Sequence, residues 1–282
     1  MSNQTHSKET YEIVDKLRPI DDVFFTKLAE DREFCQEILQ VILEMPELEV
    51  VEVFPQKQLR NVKGRSVIVD VLCKDAKERY FNIEVQKEDD DDHQRRVRYN
   101  GSNIETYITE KGISFEEMPD VYVVFISQFD YFKQGKTIYH IDRIIRETQQ
   151  VVDNGYYEVY VNTKVDDGSD IAGLMKLFQS DRVENDKRFP ATCKAISGHK
   201  EGKGRDKMCS IVEEYASKKA EEARREAEEA RREAEEARKE AANTARATTI
   251  AFIKAGTSDE IIKNATGLTE EEIEKLRLEI NT

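Results

Sequence analysis

Ser66-Val-Ile-Val-Asp70-Val-Leu-Cys73 and, beyond the polar segment Lys74 to Arg79, Tyr80-Phe-Asn-Ile-Glu84-Val-Gln86-Lys87 decide how this chain is read. Both runs are short, bounded by charged residues and rich in β-branched or aromatic side chains, which predicts two strands of a hairpin. Positions 70 and 84 are symmetric about Lys77. That symmetry puts Asp70 and Glu84 opposite each other on one face, with Cβ atoms about 5 Å apart. Two carboxylates at such a separation can share a cation. On the second strand a period of two places Tyr80, Asn82, Glu84 and Gln86 on one face and Phe81, Ile83 and Val85 on the other. The second set faces a core, and the first faces a candidate site.

Working outward, Val23, Phe24, Leu28, Phe34, Ile38, Leu39, Ile42 and Leu43 recur at helical spacing, with a break near Ala29 to Arg32. Two short helices are expected there, ended by Pro46, with a strand over Leu48 to Phe54. After the hairpin comes the acidic run Glu88 to Asp92, and then a helix from about His93 to Thr109. The acidic run lies where a helix N-terminus favours negative charge. Arg96, Tyr99 and Asn103 share one face of the helix, and a basic face beside paired carboxylates can hold phosphate. Val121 to Ser127 is apolar almost throughout and predicts a central strand buried on both sides. Further strands are expected over Lys136 to Ile141 and Tyr157 to Asn162, the latter after an Asn154-Gly155 turn, and helices over Asp170 to Gln179 and about Asn185 to Ile196. Residues 1–18 are polar and expected to be loosely held, and His199 to Arg205 reads as a flexible basic loop.

The pattern then changes. Glu-Glu-Ala-Arg-Arg-Glu-Ala occupies 221–227, repeats at 228–234, and recurs at 235–241 with Lys239 as the one difference. Alanine is the strongest helix former, and Glu221/Arg225, Glu228/Arg232 and Glu235/Lys239 are favourably oriented i,i+4 pairs. One helix is expected over about 208–247, either self-supporting in solvent or pairing through its alanine seam as a coiled coil that joins copies of the chain. The end reads as a small helix-turn-helix-like unit, with Gly256 as a stop and Thr269 with Glu272 as a capping box. The expected organisation is therefore a loose segment 1–18, an α/β domain 19–206, a charged helix 207–247 and a helical unit 248–282.

With 282 residues the chain can bury a large core, and 36% charged residues fits an extended, solvated part. A formal charge of −14 argues against binding DNA through overall electrostatics, although a local basic strip beside an acidic metal site is compatible with it. Cys35, Cys73, Cys193 and Cys209 are widely spaced, which argues against a zinc site and for reduced thiols. The amino terminus lacks a signal-peptide apolar core, and no run of about 18 apolar residues is present, so a soluble, cytoplasmic protein without membrane contact is expected.

Asp70 followed by Glu84-x-Gln86 resembles the site of the PD-(D/E)XK nuclease superfamily, an Asp on one strand and Glu-x-Lys on the next. The surrounding residues extend the likeness: Asp-Asp-Val-Phe-Phe-Thr-Lys-Leu at 21–28, Val-Asp-Val-Leu-Cys-Lys-Asp at 69–75, Phe-Asn-Ile-Glu-Val-Gln at 81–86, Arg-Val-Arg-Tyr at 96–99 with Ser102, and Val-Tyr-Val-Val-Phe-Ile at 121–126. Together they resemble the recombination-promoting nuclease and transposase branch (Rpn type), whose members carry Glu-x-Gln and a glutamate-rich helical tail. Lys-Met-Cys-Ser-Ile-Val-Glu-Glu at 207–214 and Thr-Gly-Leu-Thr-Glu-Glu-Glu-Ile near the end are similar as well.

The resemblance implies a mixed sheet flanked by helices and a DNA endonuclease dependent on Mg²⁺ (or Mn²⁺), with Asp70 and Glu84 as ligands and Gln86 in the usual place of lysine. Glutamine offers an acceptor and two donors without charge, so it can orient water or touch the metal but cannot act as a cation. Arg96 is the candidate replacement charge, Tyr99 a candidate phosphate contact, and Asp22 a candidate accessory acid, with Asp21 beside it an equal one. The alternative is a catalytically silent DNA- or protein-binding module that keeps the nuclease fold and assembles through its long helix.

Overall fold

The computed structural model describes residues 6–59, 67–89 and 92–280. Five residues of the expected loose amino terminus, Ser66 at the head of the opening stretch, Asp90 and Asp91 of the acidic run and the last two residues of the terminal unit lie outside them. By its contacts the chain divides into two units, Met1–Tyr215 and Ala216–Thr282, a boundary that falls inside the long helix rather than at its start.

In the first unit α1 (Lys8–Lys16), α2 (Asp22–Leu28) and α3 (Arg32–Ile42) precede β1 (Val50–Leu59), β2 (Val67–Asp75) and β3 (Tyr80–Gln86). After α4 (His93–Ile108) come β4 (Val121–Ser127), β5 (Ile138–Ile141), the short strands β6 (Ile144–Ile145) and β7 (Gln150–Val151), and β8 (Tyr156–Asn162). Helices α5 (Asp170–Gln179) and α6 (Pro190–Lys200) follow, and α7 (Gly202–Lys254) begins here. The six-stranded sheet runs β1-β2-β3-β4-β8-β5. Pairing is antiparallel from β1 to β3, parallel from β3 through β4 to β8, and antiparallel again at β5. Parallel neighbours need a crossover, and α4 supplies it between β3 and β4. All seven residues of β4 are buried, as the apolar run requires.

Two apolar layers enclose the sheet. Phe81, Ile83 and Val85 of β3 join Phe24, Phe25, Phe34, Leu39, Phe178 and Met208 in one, so helices α1 to α3, α5, α6 and the start of α7 cover that side. Val123 and Phe125 of β4 join Val97, Ile104 and Ile108 of α4 in the other. The division of β3 into a core face and a second face is the one its period of two predicts.

Three local expectations are corrected. Residues 8–16 are helical: Ser7 caps α1 by accepting from the Thr10 N–H, Val14 is fully buried, and Tyr11 and Asp15 bond to Asp206 and Arg205 of α7. Tertiary contacts of that kind leave little trace in a polar sequence. The basic segment 199–205 forms the end of α6 and the start of α7, because Gly204 lets the two approach closely; a Cβ there would lie 1.7 Å from the Gly198 carbonyl oxygen. The helix expected over 185–196 is α6, displaced toward the C-terminus because Pro190 occupies its first turn, where a missing N–H costs nothing. The β6–β7 ribbon was not anticipated. The Asn154-Gly155 turn is present, with Gly155 at φ 73°.

In the second unit the remainder of α7 exposes nearly every side chain, including the alanines of the repeat. Helices α8 (Asp259–Thr266) and α9 (Glu270–Ile280) follow the stop at Gly256. The capping box forms: the Glu272 carboxylate accepts from the Thr269 N–H at 2.8 Å, and the Thr269 hydroxyl accepts from the Glu272 N–H. Ile262, Ile273 and Leu276 are buried, and Arg277 pairs with Asp259. All four cysteines are free thiols and buried. Among the described residues no helix is long and apolar enough to cross a membrane.

Candidate active site

The hairpin register runs Cys73↔Phe81, Leu72↔Asn82 and Val71↔Ile83, so the next pair in line is Asp70 with Glu84. The side chains confirm the junction. The Val85 N–H donates to Asp70 Oδ2 at 2.9 Å, and the Asp70 N–H donates to the Glu84 carboxylate. On its other side β2 pairs with β1, where Pro55↔Val71 and Lys57↔Val69 bracket Gln56 opposite Asp70. Gln56 adopts φ 48°, a strained conformation for a residue with a side chain. Across this bend β2 changes layers: Val67 and Val69 lie in the α4-side cluster, Val71 and Cys73 in the other. Asp70 occupies the pivot.

Glu84 is 6% exposed and carries a built hydrogen-bond shell. Asn82 Nδ2 donates to its Oε1 at 2.9 Å, and the Asn100 side chain of α4 donates as well. Burial raises the Glu84 proton affinity, and these donors together with the Arg96 charge oppose the rise. Asp70 is pushed well above the usual carboxylate range, first by burial and then by the Glu84 charge; the Val85 N–H opposes this, Asp22 adds to it, and Arg96 opposes it. Asp22 is therefore within electrostatic reach of the pair.

The structure separates the two adjacent acids. Asp21 accepts from the Arg18 N–H at 2.8 Å and pairs with the Arg18 guanidinium and with Lys87 Nζ at 3.0 Å, and those donors pull its proton affinity down against burial. Asp22 instead accepts from the Tyr215 hydroxyl at 2.7 Å. At the C-terminal end of β3, Gln86 stands in register with Ser127 of β4, itself in register with Asn162 of β8. Open α/β sheets bind ligands outside such strand ends. Arg96 Nη2 donates to Gln86 Oε1, Gln86 Nε2 donates to the Glu88 carbonyl at 2.8 Å, and the Arg96 guanidinium lies 5.8 Å from the Phe125 ring centroid. Tyr99 packs against the α4-side apolar cluster, and its carbonyl accepts from Asn103 Nδ2.

Asp70, Glu84, Gln86, Arg96 and Asp22 thus share one region, while the Tyr99 side chain is committed at least in part to packing. Asn100, Lys87 and Tyr215 were missed as contributors, and Asn82 was placed on the site face without a role. Asn82 carried a signal, two residues before Glu84 on the same strand face, and Asn100 lies one turn beyond Arg96. Tyr215 had none, being 145 positions from Asp70.

The donor set suits a divalent cation. Asp22, Asp70 and Glu84 are three acids beside the single Arg96 cation, and Asn82 Oδ1 is a buried acceptor without a hydrogen-bond partner among the described residues. Among those residues no three His, Cys, Asp or Glu side chains gather closely enough to enclose an ion. A cation here would take Asp70 and Glu84 as protein ligands and water or phosphate oxygens for the rest, as Mg²⁺ commonly does.

No curated protein and no solved structure matches the chain. Residues 20–162, half of the chain and every strand of the sheet, match the family described as PD-(D/E)XK nuclease family transposase. The mixed sheet is consistent with that match, and the chain belongs to the PD-(D/E)XK nuclease family transposases.

Proposed function

We propose that the protein is a Mg²⁺-dependent DNA endonuclease that hydrolyses phosphodiester bonds in recombination or transposon-related processing. The observation that carries this reading is the pairing of Asp70 with Glu84, two carboxylates whose raised proton affinities mark a site built to receive positive charge. The cation, when bound, would supply Lewis-acid stabilisation of phosphate charge and lower the pKa of a bound water. Around it, Asn82 and Asn100 fix the Glu84 carboxylate, and the Val85 N–H fixes that of Asp70. Gln86 orients Arg96, so the cation that lysine usually provides comes from α4. Arg96 faces the carboxylates at rest and binds phosphate oxygens as they arrive. The test is nicking of supercoiled plasmid by the purified chain: conversion with Mg²⁺, none with chelator and none with Asp70→Ala supports the reading. Cutting that persists in Asp70→Ala refutes the site.

The repeat helix is the second part of the proposal. With Ala220, Ala223, Ala227, Ala230, Ala234, Ala237 and Ala241 as the a and d seam, the e positions are Arg224, Arg231 and Arg238 and the g positions Glu226, Glu233 and Glu240. In a parallel pair g faces e of the partner and opposite charges meet; an antiparallel pair opposes like charges. Copies of the chain accordingly associate in parallel. Sedimentation equilibrium should give twice the 32.7 kDa chain mass, reverting to one chain when Arg231 and Arg238 become Glu. A single-chain mass at all concentrations would leave the helix self-supporting.

A further inference from the structure

We propose that Tyr215, outside the family match, is a positioning residue for the candidate centre: its hydroxyl holds the Asp22 carboxylate in place and thereby sets the affinity of the Asp70–Glu84 pair for a divalent cation. The proposal rests on the metal reading above and adds a residue of α7 to it.

Three observations support it. The Tyr215 hydroxyl donates to Asp22 Oδ2 at 2.7 Å, and Asp22 is one of the charges that act on Asp70. The neighbouring acid is excluded from that task, since Arg18 and Lys87 already engage Asp21. Finally, the segment of α7 that carries Tyr215 is anchored on all its turns. Met208 and Cys209 are buried in the core, and Ile211 and Val212 pack against it. Asp206 accepts from the Tyr11 hydroxyl, and Glu213 from Thr10. The phenol is therefore delivered to Asp22 by a fixed scaffold.

The choice of a phenol has a physical consequence. A lysine or arginine at the same place would hold Asp22 but cancel its charge. A neutral hydroxyl fixes the carboxylate and leaves its full charge to act on the pair, which is how a residue one shell away from a cation tunes its binding. Without the hydroxyl, Asp22 samples other rotamers and its field at Asp70 falls on average.

Titration calorimetry of the full chain with Mn²⁺ tests this without relying on cleavage. Wild type, Tyr215→Phe, Asp22→Asn, the double variant and Asp70→Asn are compared, with circular dichroism confirming that each is folded. Tyr215→Phe is expected to weaken Mn²⁺ binding about tenfold. Asp22→Asn should weaken it at least as much, and the double variant should be no weaker than Asp22→Asn alone. Unchanged affinity in Tyr215→Phe, or additive losses in the double variant, overturns the proposal while binding lost in Asp70→Asn keeps the metal reading intact. Wild-type affinity in Asp70→Asn overturns both.

Discussion

Asp70→Asn is expected to make the metal-free protein more stable and at the same time to remove its stabilisation by Mg²⁺. Burial and the neighbouring Glu84 charge raise the proton affinity of Asp70, and burial raises that of Glu84. A carboxylate whose pKa is higher folded than unfolded favours the folded state while it is protonated. That contribution is present at low pH and is lost as pH rises through the folded pKa. At neutral pH, above the carboxylate pKa of the unfolded chain, the metal-free wild type has consequently lost part of that contribution, as unfavourable charge or as the cost of keeping a proton on the pair. Asparagine removes one charge, and its side-chain oxygen still accepts from the Val85 N–H.

The melting temperature of the variant in chelator should exceed that of wild type, by about 2–4 °C for each kcal/mol of repulsion relieved. The difference should shrink as pH is lowered and the wild-type pair takes up protons. Mg²⁺ at 100 times its dissociation constant should then stabilise wild type by about 2.7 kcal/mol and the variant far less. A variant that melts below wild type in chelator, or that responds equally to Mg²⁺, would show that the pair is a structural feature rather than a cation site.

Arg96→Gln is expected to lower plasmid cleavage by about 10²–10³-fold, the usual cost of removing one group that stabilises developing charge. Gln86 cannot compensate, because an amide carries no charge. A lysine at position 86 can, so the double variant Arg96→Gln/Gln86→Lys should recover at least about tenfold of the loss. Gln86→Lys alone should gain nothing over wild type, since it sets an ammonium against the Arg96 guanidinium in place of the acceptor that Arg96 now uses. Initial rates at saturating Mg²⁺ measure all three. Near-wild-type cleavage by Arg96→Gln would return the cationic role to some other group.

The carboxylate hairpin was legible in the sequence because its geometry is local: a register set by one short turn fixes which residues oppose each other, and the observed pairing keeps the symmetry about Lys77. The buried strand at 121–127 was legible because its apolar run is unbroken, and the helix at 93–108 because Arg96, Tyr99 and Asn103 recur at three- and four-residue spacing, which is also local. Asp21 and Asp22 could not be distinguished. Adjacent acids at a helix start are equivalent until partners distant in sequence arrive, and here those partners are Lys87 for one and Tyr215 for the other. The bend at Gln56 was invisible because a positive φ there gives glutamine no local advantage. Helix α1 reads as loose because its sequence is polar, and the bonds that hold it run to residues about two hundred positions away. Gln86 read as the weak point of a nuclease site, yet the structure shows what it does, which is to bind a guanidinium from the next helix.

The shared cation at Asp70 and Glu84 is tested most directly by crystals grown with Mn²⁺ and data collected at the manganese absorption edge. A single anomalous peak about 2.1 Å from a carboxylate oxygen of Asp70 and of Glu84 is the predicted result. A peak at other residues, or none at these two under concentrations that support cleavage, would contradict it.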